Sequence, residues 1–159
     1  SVEDRVKYAK VRGKAGESLA MYSAMMDGYN CSLELSDSAP YDFILGNGGK
    51  LYRVQVKSSQ YCSWKDGGGI TFTIVQRNTQ IVPYRYVDIF AFVDLYREKI
   101  AWLRFSDLTN PYKITIKYDY FNLYPLRKIV GEVINQYNMR IETKINNEKQ
   151  QALDLKESK

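Results

Sequence analysis

The stretch that most constrains this chain is Tyr41-Asp42-Phe43-Ile44-Leu45, then Gly46-Asn47-Gly48-Gly49, then Leu51-Tyr52-Arg53-Val54-Gln55-Val56-Lys57-Ser58. Two apolar-rich runs flank a turn whose glycines and asparagine accept positive φ, so the segment predicts a β-hairpin. Strand alternation then sorts the side chains. Val54 and Val56 point into apolar packing, while Gln55 and Lys57 share the opposite face. Asp42 opens the preceding strand. A carboxylate, an amide oxygen and an ammonium therefore meet on adjacent strands. Hard oxygen donors suit a divalent cation, and a nearby positive charge suits an attacking water and a phosphate, which is the equipment of metal-assisted phosphodiester hydrolysis.

A chain of 159 residues is one domain long and can bury a core without disulfides or structural metal. Its 23 Lys and Arg against 18 Asp and Glu leave a net charge of +5, which favours a polyanionic partner. Fourteen tyrosines suit both a packed core and a surface that meets sugar-phosphate and bases. There is no histidine, which excludes Ser-His-Asp and Cys-His nucleophilic sites, imidazole metal ligands and a histidine general base. Cys31 and Cys62 are too few and too far apart for a zinc cluster and read as reduced thiols. No apolar run approaches the roughly 20 residues that span a bilayer, and residues 1–5 lack the order of a signal peptide. The expectation is a soluble, cytoplasmic protein that does not engage a membrane.

Along the chain, Val6, Ala9, Ala15, Leu19, Tyr22 and Met26 recur at three- and four-residue steps for much of the stretch and predict an amphipathic helix over 4–27. Gly13 and Gly16 interrupt it and predict a separate short first helix or a bend before the main one, and Gly28 a C-terminal cap. Strands are expected at 31–35, 41–45, 51–58 and 70–75, then at 87–95 and 99–105 as an antiparallel pair, and at 113–118. Between them, 60–69 reads as an exposed loop. Pro125 followed by Leu126, Ile129, Val130, Val133, Ile134 and Tyr137 predicts a late helix with proline in its first turn. Residues 146–159 are polar and charge-rich and read as a flexible tail. The order implies a mixed sheet flanked by helices, an α/β or α+β fold, with one domain over 1–145.

With these residues assembled, the chain resembles the restriction-endonuclease-like superfamily, whose signature is PD-(D/E)-x-K. Here the signature stands as Pro40-Tyr41-Asp42 and Gln55-Val56-Lys57, preceded by Glu17 in Arg12-Gly13-Lys14-Ala15-Gly16-Glu17. Tyr41 separates the proline from the aspartate, and Gln55 replaces the usual acid while keeping an oxygen donor. The run Ser38 to Ser58 is most similar to small homing endonucleases associated with cyanobacterial group I introns, where a Gln-x-Lys variant also occurs. Archaeal Holliday-junction resolvases share the basic-Gly-x-x-x-Glu helix and the Lys-Ser ending.

The resemblance implies a site-specific, Mg²⁺-dependent endonuclease acting on double-stranded DNA, with Mn²⁺ able to substitute, in the service of intron homing. A junction resolvase is the rival enzyme, and a non-catalytic DNA-binding module of the same fold is the rival of another class. In the implied site Glu17, Asp42, Gln55 and the Val56 carbonyl hold the ion, and Lys57 orients the water. Ser58, Ser59 and Gln60 leave the strand toward DNA. Arg12, Lys14, Lys65, Arg77 and Arg85 are candidate phosphate clamps, with Tyr61 and Trp64 against sugars or bases. One active site cuts one strand, so duplex cleavage implies a homodimer or a dimer of dimers. Residues 99–105 and 118–124 and the late helix are the expected contact surfaces.

Overall fold

A continuous helix, α1 (Val2–Met26), opens the chain. It belongs to a computed structural model that describes residues 1–36, 38–59, 68–75, 86–133 and 136–158. The Ser1 hydroxyl caps the helix by accepting the Asp4 N–H at 3.2 Å, and Gly28, at φ 96°, ends it as expected. Neither the separate first helix nor the bend expected at Gly13 and Gly16 is there. Gly16 instead permits contact: a Cβ at this position would lie 1.6 Å from the Ser58 hydroxyl and 2.8 Å from its Cβ. The expected apolar face is also corrected. Gly16, Ala20 and Ala24 are the buried positions, while Val6, Tyr22 and Met26 are exposed at 51%, 58% and 69%. Spacing of bulky residues misidentified the face because the helix lies close to its sheet through a stripe of its smallest side chains.

Among the described residues, five strands form the main sheet: β1 (Asn30–Ser32), β2 (Phe43–Asn47), β3 (Lys50–Ser59), β5 (Ile89–Asp94) and β6 (Lys99–Arg104), in the order β1-β2-β3-β5-β6. β2 and β3 make the expected antiparallel hairpin, with Phe43 opposite Val54. The β3–β5 pair is parallel and the β5–β6 pair antiparallel, so the sheet is mixed. Asp88 fixes the β3–β5 register, its carboxylate accepting from the Arg53 N–H at 2.8 Å and from the Arg53 guanidinium at 3.1 and 3.2 Å. Burial works against the Asp88 charge, but these hydrogen bonds outweigh it and hold the carboxyl below its usual range.

β5 is buried along its whole length, as a central strand covered on both faces should be. Its Ile89, Ala91 and Val93 join Val54, Val56, Phe43 and Leu45 in a core under α1. Phe90 and Phe92 face the other way, into a second core beneath a small antiparallel sheet of β4 (Gly69–Thr73) and β7 (Lys113–Lys117). The residues expected to meet a partner at 99–105 are largely committed to these cores. Ala101, Trp102 and Leu103 are buried within the chain, and the Trp102 N–H donates to the Tyr124 carbonyl at 2.9 Å.

The late helix is shorter than expected. α2 (Leu126–Val130) starts after Pro125 and stops at Gly131, whose φ of 79° breaks the helical path. Polar anchors hold that break: Tyr29 donates its hydroxyl proton to the Gly131 carbonyl at 2.5 Å, and the Asn47 amide donates to the Val130 carbonyl at 3.1 Å. A further helix, α3 (Gln136–Glu157), runs through the segment expected to fray, and its described side chains from 143 onward are all exposed. Among the described residues no helix is long and apolar enough to cross a membrane.

Candidate active site

β2 begins at Phe43, one residue after Asp42, whereas β3 continues to Ser59. The Asp42 N–H still donates to the Val54 carbonyl at 2.8 Å, and there the ladder ends. Beyond Val54, β3 therefore presents, among the described residues, an open edge on the side where β2 would have continued. Asp42 fills the first vacant place: its Oδ2 accepts the Val56 N–H at 2.7 Å. Because the N–H and C=O of one strand residue point to the same side, the Val56 carbonyl faces the same open edge.

Glu17 reaches this edge from α1, its carboxyl within hydrogen-bonding reach of that of Asp42. Two carboxyls hydrogen-bond to each other when one carries the proton. Burial pushes the Asp42 carboxyl up, and the neighbouring Glu17 charge and hydrogen bond push it further. The Val56 N–H and the Lys57 charge oppose them, leaving Asp42 at about 6 instead of 3.8. A carboxyl pair held this way is short of compensating positive charge.

Lys14 approaches from one turn earlier on α1, its ammonium 3.1 Å from Glu17 Oε2. Lys14 itself is 81% exposed, so the pair is water-screened and contributes little to stability.

Of the site residues expected from sequence, the structure brings Glu17, Asp42, Val56 and Lys57 together at one sheet edge. Gln55 lies half-buried beside them in β3, and its amide makes no hydrogen bond among the described residues. Ser58 packs against Gly16 of α1, and Ser59 ends β3 with its carbonyl accepting the Leu95 N–H at 3.0 Å. Arg12 sits on α1 with its guanidinium 5.6 Å from the Tyr8 ring centre. Gln60, Tyr61, Trp64, Lys65, Arg77 and Arg85 lie outside the described residues.

A cleft of about 360 Å³ opens in front of Glu17 and Asp42, walled by Lys14, Ser18, Glu34 and Tyr41. Glu34 and Tyr41 were not anticipated. The Tyr41 hydroxyl donates to the Glu34 carboxylate, tying the loop before β2 to the end of the β1 connection. The signal was present in the sequence as the residue inserted between Pro40 and Asp42.

The donor set fits a divalent cation. Two carboxylates and a backbone carbonyl are hard oxygen donors, and the pair's poorly compensated charge is what a cation would relieve. Among the described residues no three His, Cys, Asp or Glu side chains gather, so an ion here would draw on these two acids, the carbonyl and an amide.

Comparison with known proteins supplies the family. Residues 8–155 match the family profile described as PD-(D/E)XK endonuclease, a family that generally uses divalent metal ions. No curated protein matches the chain. Among solved structures, the bacterial homing endonuclease I-Ssp6803I superposes with a TM-score of 0.56 at 22% identity, covering 68% of this chain and 74% of that one. Hjc, a Holliday junction resolvase of the archaeal hyperthermophile Archaeoglobus fulgidus, gives 0.48 at 13% identity, covering 77% of this chain and 98% of that one. With a mixed sheet flanked by helices, the acidic pair and Lys57 at its open edge, and a family match over nearly its whole length, this chain belongs to the PD-(D/E)XK endonucleases.

Proposed function

We propose that this protein is a Mg²⁺-dependent endonuclease that hydrolyses phosphodiester bonds at specific sites in double-stranded DNA, of the intron-homing type. The observation that carries the reading is the Glu17–Asp42 carboxyl pair beside Lys57 at the open edge of β3. The homing assignment rests on the Pro40-Tyr41-Asp42 and Gln55-Val56-Lys57 variant of the signature. Glu17, Asp42, the Gln55 amide oxygen and the Val56 carbonyl would hold the ion. When bound, Mg²⁺ supplies Lewis-acid polarisation of the phosphate and a lowered pKa for an attacking water.

The chain's own groups do the rest. Asp42 releases its proton to water and presents a carboxylate that the Val56 N–H holds in place. Lys57 directs the water and offsets the negative charge that grows on the phosphate oxygens. The Tyr41–Glu34 pair fixes the wall of the cleft through which the backbone enters. Cutting both strands requires two such sites, hence a homodimer or a dimer of dimers. The catalytic body extends to about residue 145, with the exposed end of α3 outside it.

The test offers the protein a pool of duplexes with randomised inserts, and separately an immobile four-way junction, each with magnesium or a chelator. Sequencing of released ends should return one recurrent duplex motif and leave the junction intact. Cleavage of the junction with no recurrent duplex site would make the protein a resolvase. Binding without cleavage of either substrate would make it a non-catalytic module.

A further inference from the structure

The catalytic pair accounts for the second half of α1 and leaves the first half unexplained. Every residue from 1 to 11 is exposed, whereas the buried positions of the helix begin at Gly16. Three helical turns therefore extend without packing beneath them. A helical stretch that buries no face needs another reason to be kept.

Its basic charges are ordered and follow an acidic first turn of Glu3 and Asp4. Lys7, Lys10 and Lys14 follow i, i+3, i+7 spacing, which lays them along one side of the helix. Glu17 continues the same line at i+10, and Glu17 is the residue that meets Asp42. Lys14 closes the stripe on Glu17 itself. Neither Lys7 nor Lys10 has an ion-pair partner among the described residues. From Lys7 to Lys14 the helix rises about 10 Å, the length of about three base-pair steps along a duplex axis.

We propose that the protruding start of α1 is a phosphate-tracking arm: Lys7 and Lys10 bind the DNA backbone about three to four base pairs from the phosphate that lies at Glu17 and Asp42. The proposal rests on the nuclease reading above and adds a contact outside the cleft. Charge complementarity names the occupant, and continuity with Glu17 fixes where on the duplex it sits. Point charges on flexible stems suit backbone contacts that carry no sequence information, so the arm holds the duplex in place and leaves base reading to other residues.

The test compares wild type with the double variant Lys7→Gln/Lys10→Gln, using a duplex of random sequence in chelator, with affinity measured across a salt series. Circular dichroism confirms that both are folded. Each lost phosphate contact makes the slope of log affinity against log salt shallower by about 0.9, so the double variant should lose about 2. Lys144→Gln/Lys149→Gln removes the same charge from exposed positions of α3 and should leave the slope unchanged. An unchanged slope for the arm variant, an equal loss in the α3 variant, or a change in subunit association in place of the slope would overturn the arm. The two readings fail separately. Wild type that cuts DNA with an unaltered slope in the variant sinks the arm alone, and a shallower slope in a protein that never cuts supports the arm while sinking the nuclease.

Discussion

Asp42 carries opposing demands: its fold favours a proton and its proposed chemistry needs a charge. With the carboxyl raised from 3.8 to about 6, the stability it contributes is complete below about pH 4 and is lost as pH rises through about 6. Metal-free protein should therefore melt at progressively lower temperature from about pH 4 to about pH 6.5, with little further change from this group above pH 7. Asp42→Asn keeps an acceptor for the Val56 N–H and a donor for Glu17, so that part of the pH dependence should disappear. The same variant should lose cleavage by about 10²-fold or more. A variant that melts higher at neutral pH yet no longer cuts separates a catalytic role from a structural one. Lys57→Ala should lose turnover while calorimetry still detects metal binding, because an ammonium is not a ligand. Gln55→Glu adds a charge at the position that departs from the family signature. If its amide oxygen is a ligand, half-maximal cleavage should need less Mg²⁺. Loss of cleavage at every Mg²⁺ concentration would remove Gln55 from the ion's donors.

At the scale of elements, the two glycines of α1 have opposite roles that the sequence did not distinguish. A methyl group placed on Gly13 would meet nothing within 4 Å, so Gly13→Ala should stabilise the helix by about 0.5–1 kcal/mol. Gly16→Ala drives a methyl into Ser58 and should cost about 1–3 kcal/mol despite the better helix propensity. Ser58→Gly in the same chain should recover much of that loss, and denaturant melts of the four proteins close the cycle. The hairpin was legible because its turn residues and alternation are local signals: β2 and β3 lie within two residues of their expected bounds. The face of α1 was not legible, since contact through Gly16, Ala20 and Ala24 depends on how near the sheet lies. The stop at Gly131 was hidden for a similar reason. It is held by Tyr29 and Asn47, some 100 and 80 positions away in the chain. The candidate site divides in the same way, for Asp42, Gln55 and Lys57 fall within one hairpin, whereas Glu34 reaches the cleft wall through a side-chain contact that no spacing encodes.

For the whole molecule, the two cores divide the labour. The core under α1 fixes Glu17 against the sheet, and the core beneath the β4–β7 pair supports the opposite face of β5. Truncation after residue 145 removes only exposed described side chains and should leave the melting temperature within a few degrees. Glu17 and Asp42 are proposed to form a metal-dependent nuclease centre. The measurement that tests it most directly is end release from the randomised duplex pool by wild type and Asp42→Asn, each with magnesium and with chelator. Cleavage by wild type in magnesium alone is the predicted result. Equal cleavage by Asp42→Asn, or by wild type in chelator, would contradict it.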